Sequence, residues 1–498
     1  MKRSLLSAAL LAGVMSANAQ SVVKDINPGT TGSFPYRMAA FGKNLVFTAN
    51  DGTNGYELWL KDTSGTNLAF NINPAAASSF SSTQNRTMAV VGKNIYFPAN
   101  NGTSGTELYR WDGTNPPTLA AEVYAGTSSA GVDEVVAYKG KVYFDANDGN
   151  YGEELWVYDT TGNIAMRLTD ISAGASSSFI SSIAVYDTLV YFSAYTVATG
   201  QELYAYNPTT NSTTLVSDIE AGSGSSAPNN LIVIGNKLYF SATTTSFGRE
   251  LYSYNGLNVM RLTDVAAGNL STITNYSIGQ RIIAGFNNKI YFAGNDGTNF
   301  GHLYVYDPAT GNTALVYKTN PTGNSNISNI HSAKNRIYFN ADNGVNGNEL
   351  WMYKGTGVPA MVADIYTGAI SSNPAEFLQM GTTIYFRAAD SANGTELFML
   401  SDSTLGVKNV AFNADVKVYP NPTTGNATLA VTLEKTQALN VSVTDMAGRV
   451  VYNSGVVSYV SGKNEILIPA ANMANGIYIY AIRSENGELM ASGRFQKQ

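Results

Sequence analysis

A glutamate recurs in one fixed setting along this chain: Glu57, Glu107, Glu154, Glu202, Glu250, Glu349 and Glu396 each stand directly before a leucine that an aromatic residue follows. A second acidic or amide residue comes after each interval of strand-like sequence, at Asn71, Glu122, Asp170, Asp218, Asp264 and Asp364. If the segments between are antiparallel neighbours, the two ends meet. That pairs Glu154 with Asp170, Glu202 with Asp218, Glu250 with Asp264 and Glu349 with Asp364, while Glu396 falls to Asp25 if the chain closes on itself. Carboxylates brought together repel unless a proton, a cation or amide hydrogens lie between them. Ca²⁺ is the candidate cation, since it accepts six to eight oxygens in irregular geometry. The alternative is that the carboxylates cap backbone N–H groups of glycine-rich loops.

Paired carboxylates also equip glycoside hydrolysis. A catalytic site breaks the symmetry of a repeat, however, and this pair is spread over most copies. Copy six alone changes both members, to His302 and Lys318. It is the one place where a base or ligand could be specially installed, although a solitary histidine in a strand is more often ordinary packing. No G-x-S-x-G, H-E-x-x-H, P-loop or dinucleotide fingerprint stands in a supporting context. The expectation is a protein without catalytic residues.

The elements that position these groups are legible from the spacing. Phe47, Phe97, Phe144, Phe192, Phe240, Phe292, Phe339 and Phe386 each precede a repeat leucine by eleven positions, in eight copies. The leucines recur at the period of a four-stranded propeller blade. Within the copy that starts at Val135, "VVAY", "KVYFDA", "ELWVYD" and "MRLTDI" alternate as strands. Lys139-Gly140 makes the first turn, with the residue types a two-residue hairpin favours. The second strand is apolar over a continuous run, which implies burial on both faces. The aromatic after each repeat leucine (Trp59, Tyr109, Trp156, Tyr204, Tyr252, Tyr304, Trp351, Phe398) reads as core between blades rather than as a sugar-stacking ring.

The fourth-strand phrase appears first as "VVKDINPG" (22–29), ahead of any other strand, and is missing after the eighth third strand. The N-terminal segment therefore supplies the last outer strand and removes an exposed edge. The predicted fold is all-β: an eight-bladed β-propeller of four-stranded blades over 20–408, a linker over 409–415, and a small Ig-like β-sandwich over 416–498.

Composition narrows the class further. Only 13% of the residues are charged, the formal net charge is −6, and there is no cysteine. A nucleic-acid partner is excluded for want of a dense basic surface, and disulfides and thiolate metal sites are excluded outright. Met1-Lys2-Arg3, an apolar run and Ala17-Asn18-Ala19 have the build of a secretory signal peptide over 1–19, cleaved after Ala19. No later segment is apolar enough to span a bilayer as a helix.

The C-terminal phrases "YPNPTTG", "VTDMAGRVV" and "MANGIYIYAI" resemble the C-terminal sorting domain of type IX secretion cargo in Bacteroidota. Tyr419, Pro420, Asn421, Pro422, Gly425, Asp445, Gly448, Gly476 and Tyr478 carry the match, while the chain ends on Gln498 where the family usually ends in a basic run. The resemblance implies Sec export to the periplasm, passage through the outer-membrane translocon, removal of this domain by a sortase-like peptidase, and attachment to surface lipopolysaccharide or release. The propeller copies are similar to the ELWxxDGT, or hyalin-like, repeats of secreted bacterial proteins, which bring no established chemistry. The expected function is a non-enzymatic binding or adhesion protein, secreted or on the outer-membrane surface, meeting a glycan or protein ligand on the face of the loops 27–36 and 50–55. The alternatives are a polysaccharide-active enzyme using copy six or the central channel, and a passive surface-layer component.

Overall fold

A computed structural model describes residues 20–75, 77–81, 87–273, 281–298, 300–401, 416–433, 436–445, 449–484 and 489–498. The signal-peptide positions Ala17 and Ala19, the sorting-motif residue Gly448 and the linker 409–415 lie outside these. Every regular element among the described residues is a strand, and no helix there is long and apolar enough to cross a membrane. The chain divides into two compact units, Met1–Leu405 and Gly406–Gln498.

The first unit is a β-propeller. Its described strands form eight four-stranded antiparallel sheets, seven of them from consecutive strands. In the sheet that starts at Val135, Val135–Tyr138, Lys141–Asn147, Glu153–Asp159 and Ile164–Arg167 pair in sequence order. Lys139 and Gly140 both adopt positive φ, which gives the turn a twist that matches its strands. The eighth sheet takes its outer strand from the N-terminus: Gln20–Lys24 pairs with Gly394–Ser401, with Val22 opposite Phe398. First strands neighbour one another around the ring, so that Ala375–Met380 lies against both Tyr36–Phe41 and Ser328–Ala333.

The repeated apolar residues fill the sheets and the spaces between them. All eight second-strand phenylalanines and all eight repeat leucines are completely buried, and the aromatics that follow the leucines are buried too. Trp59 and Trp156 each donate their indole N–H to a carbonyl of the same sheet, Ala49 and Ala146. These rings are core and are closed to ligands.

One glycine position explains the recurring "G" before the third strand. Gly105 and Gly200 sit at φ +66° and +64°, and a Cβ on either would fall 2.2 Å and 1.8 Å from a backbone oxygen of the next loop. Only glycine admits both the conformation and the approach.

The fourth strand is shorter than its sequence suggests. It ends at Arg167 in the third sheet, so the expected strand "MRLTDI" stops before Thr169-Asp170-Ile171. The Glu154 carboxylate takes the Ile171 N–H, and Asp170 takes the Gly174 N–H, which turns the chain away from the ladder.

The second unit is a β-sandwich. Val416–Tyr419, Ala427–Leu433 and Gly462–Ile468 form one sheet, while Val450–Tyr459, Gln437–Asp445, Gly476–Ser484 and Leu489–Lys497 form the other. Leu429, Val431 and Ile466 from the first meet Val441, Val443, Ile482 and Phe495 from the second in one core.

Candidate functional site

The repeated glutamates lie inside the blades. All seven are fully buried, and the donors around them are supplied by the chain itself. Glu202 accepts from the N–H groups of Ile219 (3.0 Å), Glu220 (3.3 Å) and Ser226 (2.9 Å) and from the Ser226 hydroxyl. Glu154 accepts from Thr169 Oγ1, the Ile171 N–H and Ser178 Oγ. Glu250 accepts from Thr263 Oγ1 and the Thr272 N–H, and Glu349 from the N–H groups of Ile365 and Ser372 and the Ser372 hydroxyl. Glu396 reaches across the ring closure to Asn27 N–H and to Ser33 N–H and Oγ.

The second carboxylate of each pair does separate work. Asp25, Asp170, Asp218 and Asp364 each accept the N–H of the glycine four residues on: Gly29, Gly174, Gly222 and Gly368. Asp264 pairs with Arg261 at 2.8 Å. Both members of each pair thus have their own partners, although Asp25 Oδ1 and Asp364 Oδ1 are buried without a hydrogen-bond partner. Among the described residues no three His, Cys, Asp or Glu side chains converge as a metal site. A cation at Glu154 would face donors on both carboxylate oxygens. The thermal midpoint of the propeller is accordingly expected to be the same in EDTA and in millimolar Ca²⁺, as calorimetry would read.

Blade two breaks the cap in an informative way. The hydroxyl position reads Ser33, Ser79, Ala130, Ser178, Ser226, Thr272, Ser325 and Ser372 around the ring, so Glu107 alone of the glutamates faces an alanine there. Glu107 keeps three N–H donors, from Val123, Tyr124 and Ala130. Burial outweighs them, and the nearby Glu122 adds to it, so its pKa is pushed up to about 7. A carboxyl raised in this way contributes stability below its unfolded pKa, and loses it as pH rises from ~4.5 through 7. Ala130→Ser supplies the missing hydroxyl, and a hydrogen bond to a charged group is worth ~1.5–3 kcal/mol. The variant is expected to be stabilised at pH 8, with the gain shrinking by pH 5, as urea melts at the two pH values would show.

In copy six His302 occupies the glutamate slot, fully buried, with Nδ1 2.7 Å from Ser325 Oγ. Desolvation, with Lys318 adding to it, lowers its pKa and keeps it neutral. Lys318 binds Asp296 at 3.1 Å. Neither His302 nor Lys318 lines the ring's cavity.

That cavity, ≈ 490 Å³, is walled by the starts of the first strands. Seven residues ten positions ahead of the repeat phenylalanines are polar: Arg37, Thr87, Glu134, Ser182, Asn230, Asn329 and Glu376. All seven line the cavity, joined in blade six by Arg281. Five of them, Arg37, Ser182, Asn230, Asn329 and Glu376, have φ between 51° and 57°. Each sits where its first strand bulges against the second, as between Asn229 and Ile232. Glycine fills such a position without strain, and other residues there cost up to ~1–2 kcal/mol. The chain carries that strain five times around one cavity.

Several axial residues bolt neighbouring blades together. Glu134 accepts the N–H groups of Ser182 (2.8 Å) and Ile183 (2.6 Å), and Glu376 accepts that of Arg37 (3.2 Å). The Ser182 hydroxyl donates to Asn229 Oδ1. Burial pushes Glu134 up to about 7 and His331, another lining residue, down to about 4, so the imidazole is neutral. Because first and second strands are antiparallel, these residues lie at the end of the sheets that carries the loops 50–55. The signal that could have found them is their variation: the position is polar in seven copies yet holds five different residue types.

The sorting-motif residues gather at the end of the C-terminal strand. Asn421 Oδ1 accepts the Gln496 N–H, Thr423 exchanges backbone bonds with Gln496 and Gln498, and Pro420 and Pro422 follow cis peptide bonds. Gly425 donates its N–H to Thr423 Oγ1, and Gly476 opens the strand in which Tyr478 stacks on Phe495. Asp445 lies opposite Tyr478 and binds Arg449.

Comparison with known proteins divides along the same units. No curated protein matches the chain in sequence. PorZ, a surface component of the type-IX secretion system of Porphyromonas gingivalis, aligns with 93% of this chain and 65% of its own at 15% identity and TM-score 0.42. A puromycin hydrolase aligns with 74% of this chain and 60% of its own, at 14% identity and TM-score 0.46. The β-propeller domain of the Trilobed protease from Pyrococcus furiosus aligns with 67% of this chain and 98% of its own, at 12% identity and TM-score 0.39. The chain thus spans less than two thirds of the first two proteins, and these likenesses concern fold alone. Residues 417–492 match the family model of the secretion system C-terminal sorting domain, which marks the chain for export by the type IX route to the cell surface or the extracellular space.

Proposed function

We propose that this chain is a non-enzymatic binding protein of the cell surface or its surroundings, exported by its C-terminal unit and holding its ligand at the axial cavity of the propeller. The observation that carries the reading is the contrast between two sets of polar residues. The repeated glutamates are spent on caps inside each blade, whereas the axial residues differ from blade to blade, face one cavity and are held at positions glycine would occupy more comfortably. Variation on a rigid repeat is how binding surfaces are built on propellers and other repeat scaffolds.

The export side of this reading includes a Sec-type leader, recognition of 416–498 by the type IX translocon, cleavage by a sortase-like peptidase and attachment to lipopolysaccharide. The ELWxxDGT resemblance fits the same surface setting. A glycan-cleaving activity is the second reading, favoured by one observation: two carboxylates, Glu134 and Glu376, line the cavity and one has its pKa pushed up to about 7. Their use as inter-blade acceptors favours binding over turnover.

The experiment expresses the full chain and a chain ending at residue 415 in a bacterium with a type IX route, and probes intact cells with protease and antibody. Full-length protein is expected outside and the truncated chain in the periplasm. Equal surface exposure of both would overturn the export reading.

A further inference from the structure

Resting on the reading of the axial cavity as the ligand site, we infer that the cavity takes an uncharged sugar, the end of a neutral glycan chain. The charged lining residues are two arginines, Arg37 and Arg281, and two glutamates, Glu134 and Glu376, so their formal charges cancel once Glu134 is ionised. Three of the four are also engaged. The glutamates accept backbone N–H groups of the next blade, and the Arg37 guanidinium donates to the Ser81 carbonyl at 2.5 Å and lies over the Phe80 ring. His331 is neutral. An ion entering here meets opposite charges in equal number, two guanidinium groups and, above the Glu134 pKa of about 7, two carboxylates.

The groups left for a ligand are amides. Asn229 accepts from Ser182 and Asn230 through Oδ1, Asn230 donates through Nδ2, and Asn329 donates through Nδ2 to Ser328. That leaves Asn229 Nδ2, Asn230 Oδ1 and Asn329 Oδ1 without partners among the described residues. They offer donors and acceptors together, which is what a polyol with hydroxyls of both characters needs. Between them Tyr36, Ile183, Leu231, Ile330 and Phe377 supply apolar surface for the C–H faces of a sugar ring. The volume, ≈ 490 Å³, lies within the ~300–1,000 Å³ of small-ligand sites.

The test is titration calorimetry on the full chain with maltotriose, cellotriose and chitotriose as neutral probes, trigalacturonate as an anionic one and trialanine as a peptide. The paired variant is Asn230→Gly with Asn329→Gly. Glycine keeps the positive φ at both bulges, so a melting midpoint no lower than that of the parent chain shows the fold intact while the amides are gone. At least one neutral trisaccharide is expected to bind, and the double variant to weaken it tenfold or more. Binding of trigalacturonate or trialanine instead, with the same loss in the variant, overturns the sugar and leaves the cavity as the site. Binding that the variant does not change overturns both. No binding by any probe at millimolar concentration overturns the sugar assignment.

Discussion

Glu202→Ala is expected to cost the propeller ~4 kcal/mol or more, which approaches the whole stability of many domains. The carboxylate is fully buried and accepts three backbone N–H groups and one hydroxyl. Its removal strands all four donors, and each buried donor left unsatisfied costs ~1–3 kcal/mol. The control is Asp218→Ala in the same blade, which removes one acceptor from the exposed Gly222 N–H. That change is expected to cost ~0.5–1 kcal/mol, the range of a solvent-screened cap. Urea unfolding of both variants separates the cases. A Glu202→Ala midpoint within experimental error of Asp218→Ala would show that the glutamates are not the fasteners of the blades.

The same contrast explains what could be read from the sequence and what could not. The strict spacing of phenylalanine and leucine exposed the sheets, because burial on both faces forces one residue type at one register in every blade. The early "VVKDINPG" exposed the ring closure, since a fourth strand with no first three must pair elsewhere. That Glu154 meets the chain beside Asp170 was also legible, but the direction of each carboxylate was not: one turns into the blade toward Ile171 and Ser178, the other outward to Gly174. The fourth strands end earlier than their alternation suggests for that reason, because side-chain acceptors there replace ladder bonds.

The residues that line the cavity were hidden by the very repetition that revealed the fold. Attention falls on what recurs, and recurrence at Glu202 marks scaffold. Arg37, Ser182, Asn230 and Glu376 share a position but no chemistry, so only alignment on the following phenylalanine puts them in one row. Their positive φ values have no signature in residue type, as arginine and glutamate are poor occupants of that conformation.

A chain that begins at residue 34 instead of residue 20 is expected to lose cooperative unfolding of the propeller and to aggregate. Three losses coincide. The strand Gln20–Lys24 leaves Gly394–Ser401 as an open edge, with the carbonyl and N–H groups opposite Gln20, Ser21 and Val22 unpaired. Glu396, whose pKa burial already raises, loses the Asn27 N–H and both Ser33 donors that offset that burial. Lys24 also leaves the Thr66 carbonyl of the next blade and the Trp59 ring, which loosens blade eight from blade one. The sum exceeds ~5 kcal/mol on unsatisfied donors and the stranded charge alone. Ser33→Ala isolates one part of it and is expected to cost ~1.5–3 kcal/mol. Adding a peptide of residues 20–33 to the shortened chain should restore a single sharp transition, since strand and cap return together. A shortened chain that melts at the unshortened midpoint would mean that the ring is held shut by its inter-blade core, and that the N-terminal strand only covers an edge.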